Sequence, residues 1–424
     1  MGSISPLTPV KGPGLLSLLE DIRSAARNDT NPSQSPEGHH HLLTLIDKLR
    51  LAAETPTETA RRLMYQPTQN AAIRTLVDLG VFELLAEAGV NGSGLSASQV
   101  SAQTNAERGL IVRLMRIATS LGLCDCDPDA AEPRTYRANS KTEVMTKPLG
   151  RDGLRCLYDL TMPTLSVLPS YFAQHAYRTP TNYAASPMRW ATGQSQFEWL
   201  AERPEQQARF NAYMRSRREG HARWFSVYPV ETLLRSFKVA PSGEEDRDGT
   251  VFMVDVGGNE GYDLLWLRGR YPDFKGRLLL QDLPAVVARK DIQLERKGIE
   301  VTAYSFFEVQ PVKGAAIYYF RSIFHDWPDS VCLQILRNTI PAMGPDSRIL
   351  IVDFVLPDTD TPLFQASLDI QMMCIGSAVE RSRSEWEELL GMVGLEIRGV
   401  WSMSPAQESV IEVGRADDVV GHEI

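Results

Sequence analysis

Seven stretches between residues 250 and 415 constrain this chain most: "TVFMVDVGG", "RLLLQDLP", "IEVTAYSFF", "GAAIYYFRSIF", "SRILIVDFVLP", "LEIRGVWSM" and "SVIEVGRA", each mostly apolar and β-prone. A strand with one wet face alternates apolar and polar residues, whereas a strand covered on both faces reads as a nearly continuous apolar run. The segments between these runs have helical spacing. The pattern therefore predicts an α/β domain, a doubly wound parallel sheet with helices on both sides. It occupies residues 246–424, after a polar break at "PSGEEDRDG".

The full chain of 424 residues is too long for one ordinary core. Residues 1–40 mix Pro, Ser, Asn and Gly and read as a flexible arm with one short helix at "LLSLLEDIRSAAR". His39, His40 and His41 end that arm; neighbouring histidines share no helix or strand face, so a solvated run is expected there and no metal. Residues 41–150 show helical spacing, as in "AAIRTLVDLGVFELLAEAG" and "GLIVRLMRIATSLGL", followed by "TYRANSKTEVM" as a candidate β-wing. A winged-helix shape suggests DNA binding. Its third helix, however, carries only Arg113 and Arg116 among apolar residues, so dimerisation or lid building is the better use. Residues 151–245 form helices rich in aromatics, expected to act as a linker and substrate lid.

A net charge of −9 argues against nucleic acid as a partner, because phosphate binding needs a basic surface. Five cysteines with no CxxC pair, and no secretory leader, point to a reducing, cytoplasmic setting. No stretch approaches the roughly 18 consecutive apolar residues that a membrane span requires.

In doubly wound sheets ligands bind outside the carboxyl ends of the strands. The first run leaves into "VDVGGNEGYDL", which sets Asp255, Gly257, Gly258 and Gly261 before a helix. Glycines there let a backbone approach a ligand where a Cβ would collide. The G-G-x-x-G spacing lacks the pyrophosphate-binding G-x-G-x-x-G, which disfavours a dinucleotide; a plain strand-to-helix turn fits the loop equally well. Asp282 ends the second run, where a carboxylate can grip the two hydroxyls of a ribose, or else cap the helix at "PAVVARK". A ribose-bearing, phosphate-free cofactor is indicated, and S-adenosylmethionine answers that description. The fourth run continues as "IYYFRSIFHDWPDSV", turning His325 toward the same cleft. An imidazole there is suited to remove a proton from a hydroxyl, with Asp326 or a distant carboxylate holding its tautomer. A histidine that merely bonds its own loop is the alternative.

"VDVGG", "QDLP", "HDWPD" and "ERSRSEWEELLGMVGL", in this order, resemble the plant and fungal class I O-methyltransferases that use S-adenosylmethionine. The resemblance covers most of the chain, including the segment "AAIRTLVDLGVFELLAE". It implies a Rossmann-like catalytic domain, an N-terminal winged-helix dimerisation domain, a homodimer, and S-adenosyl-L-methionine as cofactor. Methyl transfer to a hydroxyl of an aromatic or polyketide-type metabolite is the activity it implies. It further implies His325 as general base, flanked by Glu380 and by Asp353, which stands where relatives more often have Glu. Asp255, Gly257, Gly258, Gly261, Asp282, Ser305, Phe306 and Arg321 would contact the cofactor, Arg321 in place of the usual Lys. Met372, Met373, Ile375 and Gly376 would line the acceptor pocket. Two positions depart from the pattern: Asn259 replaces a third glycine, and Ser305 replaces an Asp that holds the adenine amino group in relatives. They motivate a second expectation, a cyclase or pericyclase of fungal secondary metabolism on the same fold that moves no methyl group.

Overall fold

All seven apolar runs are strands in the computed structural model of the chain: β1 Val251–Val256, β2 Arg277–Asp282, β3 Ile299–Ala303, β4 Ile317–Arg321, β5 Arg348–Asp353, β6 Leu395–Trp401 and β7 Ser409–Arg415. They form one sheet in the order β3-β2-β1-β4-β5-β7-β6. The structure describes residues 14–29, 36–128, 132, 134–217, 223–237, 251–288, 292–402 and 407–416, so the polar break at 241–249 lies outside the described residues. Successive side chains of β4 explain the continuous apolar runs. Tyr318 and Phe320 join one buried cluster with Trp386, Leu389 and Leu390, while Ile317 and Tyr319 join another with Leu264, Leu267 and Trp224. Both faces are covered, so no position is left for a polar alternation.

The sheet is parallel as expected except at one strand. β7 runs antiparallel to both β5 and β6. The segment from Trp401 to Ser409 is too short for a parallel crossover, which needs a dozen or more residues, so the chain turns back as a hairpin. The strand order reverses between β1 and β4, whose neighbouring residues include Asp255 and Tyr319. The exits of β1, β4 and β5 consequently lie side by side at the switch point where such folds bind ligands.

The chain divides into two units, Met1–Met162 with Leu200–Glu219, and Pro163–Trp199 with Gly220–Ile424. The stretch 151–245, read from sequence as one region, is thus shared between them. Helix Pro204–Ser216 returns to the first unit and packs on helix Pro148–Cys156, where Gly153 leaves room for the Tyr213 ring.

The core of the first unit combines Ile73, Leu76, Phe82, Leu85, Val100, Ile111 and Met115. Short strands Leu95–Ser96, Thr135–Arg137 and Asp125–Asp127 pair antiparallel beside it, which gives the winged-helix form. The wing is shorter than the sequence suggested, because Asn139 caps a helix, Ser140–Thr146, with its side chain accepting from the Lys141 and Thr142 amides. Toward the N-terminus, helices Leu15–Asn28 and Pro36–Ala53 pack against each other, and the second includes the three histidines. His39 Nδ1 lies 2.7 Å from Asp29 Oδ2. Leu18 and Leu45 are the buried apolar residues of this pair, and residues 56–71 of the next helix, Pro56–Asp78, bury no side chain. Among the described residues no helix is long and apolar enough to cross a membrane.

Candidate active site

The loop after β1 needs its glycines. Gly257 and Gly261 have φ of +74° and +70°, a left-handed conformation that disfavours a side chain. A Cβ on Gly257 would stand 2.7 Å from Ile323 Cδ1, and one on Gly258 would strike the buried Asp255 carboxylate. Asn259 keeps the left-handed turn at φ +53° with its side chain exposed, so the departure from glycine leaves the loop open. Its backbone N–H donates to Asp282 Oδ2 at 2.8 Å, and the Leu283 N–H donates to Asp282 Oδ1 at 2.7 Å. Asp282 does not cap helix Pro284–Val287, whose N-cap is Leu283 without a side-chain bond. Each of its oxygens keeps a further lone pair, since a carboxylate oxygen accepts about two hydrogen bonds. Burial pushes this carboxyl above its ordinary value, against the two amide bonds.

His325 sits in a short 3₁₀ turn, Phe324–Asp326, at the exit of β4, and only 7% of it is exposed. Its Nδ1 lies 2.7 Å from Glu380 Oε1, and its Nε2 lies 3.6 Å from Asp326 Oδ1. A carboxylate only accepts, so Nδ1 carries the hydrogen and Nε2 is the atom that gains or loses a proton. The distant carboxylate, not the adjacent Asp326, holds the tautomer. Asp369 Oδ1 in turn accepts the Glu380 N–H at 3.0 Å. Asp353, at the end of β5, is 1% exposed, and its Oδ2 has no hydrogen-bond partner among the described residues, nor does Glu380 Oε2. Asp353 thus stands near the imidazole with no hydrogen bond to it from Oδ2 among the described residues.

Burial alone would pull the His325 imidazole down, but Asp326, Glu380 and Asp353 outweigh it and push it up to about 10. Burial likewise pushes Asp353 up to about 8, against the attraction of His325. The two values compete: at pH 7 Asp353 is mostly neutral and its share of the push on His325 is absent. Asp326 and Glu380 are the partners that remain, and the direction for His325 is upward.

Met372, Met373, Ile375 and Gly376 occupy the last turns of helix Leu363–Gly376, with Met372, Ile375 and Gly376 buried. Ser377 ends it at φ +53°, and its Oγ donates to Asn182 O at 3.0 Å. That bond brings in Tyr183, which the sequence gave no reason to single out. The Tyr183 ring lies 5.0 Å from Trp327, and a Cβ on Gly376 would touch both Tyr183 and Asp326 O. Trp327 also meets Phe306 and Phe307 edge-on at 6.1 and 5.3 Å. An aromatic wall thus borders the turn that carries His325.

Arg321, expected among the cofactor contacts, has its guanidinium paired with two carboxylates. Nε and Nη2 donate to Glu408 Oε2 at 2.9 and 2.6 Å, and Nη1 donates to Asp263 Oδ1 at 2.9 Å. Asp263 stands in the first turn of helix Tyr262–Arg270, so this buried cluster fixes the helix behind the glycine loop to β4. Ser305 Oγ accepts the Phe307 N–H at 3.3 Å within its own turn, while Phe306 lies 3.9 Å from the Cβ position of Gly257. Arg381, next to Glu380 in the quoted motif, also belongs to the site.

These residues fit S-adenosylmethionine. Asp282 would hold the ribose hydroxyls with its remaining lone pairs, and the left-handed glycines would admit the amino-acid portion close to the backbone. Phe306 would pack against the adenine, and the acidic exit of β4 and β5 suits a positively charged sulfur.

Residues 180–396 match the O-methyltransferase domain, and residues 62–147 match the O-methyltransferase dimerisation domain. Demethylsterigmatocystin 6-O-methyltransferase of Aspergillus parasiticus is 32% identical over 88% of this chain and 90% of its own. Solved structures described as "A Pericyclic Reaction enzyme" and "The structure of LepI complex with SAM" each superpose with a TM-score of 0.80 at 28% identity, covering 94% of this chain and 98% of theirs. With the glycine loop, Asp282 and the strand-end histidine already in place, the chain belongs to the S-adenosylmethionine-dependent O-methyltransferase family.

Proposed function

We propose that the protein methylates a hydroxyl of a flat aromatic or polyketide-type metabolite, with His325 as the base. The observation that carries this reading is the buried 2.7 Å contact between His325 Nδ1 and Glu380, which leaves Nε2 to take a proton. When bound, the cofactor supplies a methyl group made electrophilic by a positively charged sulfur. A hydroxyl attacks poorly until it is deprotonated. Nε2 removes that proton, and Glu380 stabilises the imidazolium that results. Tyr183, Trp327 and the Met372 end of its helix offer planar and pliable apolar surface to an aromatic ring. The name of the Aspergillus parasiticus relative supports this acceptor class.

The base must be neutral to act, and its carboxylate neighbours hold the proton on. Acceptor kcat/KM at saturating cofactor is expected to keep rising with pH above 6.5, the ordinary value of a free imidazole, because Asp326 and Glu380 hold the proton on. Asp326→Asn, which removes one of those charges, moves the rise to lower pH. A profile that is flat or falls between pH 7 and 10 contradicts the base role.

The same raised value favours a second reading. A ring that stays charged at neutral pH donates a hydrogen bond from Nε2, and such a donor polarises a carbonyl without moving a methyl group. The likeness to a pericyclic reaction enzyme makes this a specific alternative. Transfer of label from methyl-labelled S-adenosylmethionine distinguishes the two.

The dimerisation-domain match supports a homodimer. We infer that its interface includes residues 56–71, since Leu63, Met64 and Tyr65 there are 53, 68 and 58% exposed. A helix this bare is marginal on its own. Leu63→Glu with Met64→Glu is expected to give a monomer by light scattering, and an unchanged dimer would exclude that face.

A further inference from the structure

We propose that Arg381 is the positioning residue that locks the His325–Glu380 pair, by tying the turn that carries the histidine to the segment that carries the glutamate. Its kinetic consequence rests on the methyl-transfer reading. The guanidinium is 1% exposed and reaches both sides of His325: Nη1 donates to Phe324 O at 3.2 Å, and Nη2 donates to Trp327 O at 3.0 Å. Nε and Nη2 also donate to Asp329 Oδ1 at 3.0 and 2.6 Å, at the start of helix Asp329–Thr339. Cys332, one turn into that helix, points its Sγ at the same two carbonyls, each 3.4 Å away. Trp386 lies beneath the guanidinium, 5.3 Å from its carbon.

Sequence adjacency completes the device. Arg381 follows Glu380 directly, so the fork that grips the 324–329 turn also sets where the Glu380 carboxylate ends. The pair is 55 residues apart along the chain, so its alignment depends on contacts that tie the two segments together. Asp329 is 61% exposed, so its ion pair adds little stability, whereas burying a guanidinium is costly. That cost is met by two carbonyl bonds that both bear on His325. A lysine cannot reproduce it, because a single ammonium lacks the planar fork that spans three acceptors.

The test compares wild type, Arg381→Lys and Arg381→Met in the full chain. Donor affinity by calorimetry is expected to stay within about twofold, since Asp282 and the glycine loop are untouched. Acceptor turnover is expected to fall about tenfold in Arg381→Lys and about a hundredfold in Arg381→Met, a loss in kcat with KM little changed. Proton NMR supplies the readout that a purely structural role would not move. The downfield Nδ1 proton of the His325–Glu380 hydrogen bond, assigned by its loss in His325→Gln, is expected to broaden or vanish in both variants. If Arg381→Met does not fold, Arg381→Lys carries the test. Wild-type turnover, or a retained downfield proton in Arg381→Lys, overturns the proposal. Should wild type transfer no methyl group, the methyl-transfer reading fails by itself and the proton signal still decides the role of Arg381.

Discussion

His325→Gln lowers methyl transfer by about a thousandfold and leaves donor affinity unchanged: this is the largest effect expected of any single substitution here, in the range that a positioned general base contributes. Glutamine is the sharper choice because its amide N–H still donates toward Glu380. Alanine would strand a carboxylate whose Oε2 is already without a partner among the described residues, and an unpaired buried charge costs stability. Initial rates with labelled donor, together with calorimetry on the same sample, separate lost chemistry from lost binding. Turnover within tenfold of wild type would remove His325 from the mechanism.

Asp282→Ala acts on the other half of the site. Two charge-assisted hydrogen bonds to ribose hydroxyls, each worth roughly 1.5–3 kcal/mol, are expected to vanish together, so the donor Kd rises by a hundredfold or more. The Asn259 and Leu283 amides also lose their acceptor, which loosens the loop they anchor. The His325 pair is untouched, because Asp369 and Arg381 hold it and neither touches Asp282. Calorimetric titration with S-adenosylmethionine reads the effect, and an unaltered Kd would mean that Asp282 serves the loop alone.

The inner strands were readable in the sequence because burial on both faces leaves a local trace, apolar runs without alternation in β1, β2, β4 and β5, whereas the edge strands β3 and β6 alternate apolar with polar residues. Antiparallel β7 is legible too, once the short segment after Trp401 is weighed against the length of a crossover. The pairing of His325 with Glu380 was reached only through family resemblance, since a contact between residues 55 apart has no periodic signature. The ion pairs of Arg321 were hidden for a related reason: its partners Asp263 and Glu408 lie 58 and 87 residues away, and the sequence shows a strand-end cation without showing what neutralises it. Tyr183 was hidden among many aromatics, and only its contacts with Trp327 and the Gly376 end of the helix distinguish it. The return of helix Pro204–Ser216 to the first unit left no signal either, because its apolar positions look the same whichever core receives them.

The central claim is that this cleft moves a methyl group. Purified protein incubated with methyl-labelled S-adenosylmethionine and a panel of hydroxylated aromatic polyketides measures that directly. Label is expected to appear in an O-methylated product and to disappear with His325→Gln. Tight donor binding with no label in any product, alongside conversion of an acceptor that gains no methyl group, would contradict it.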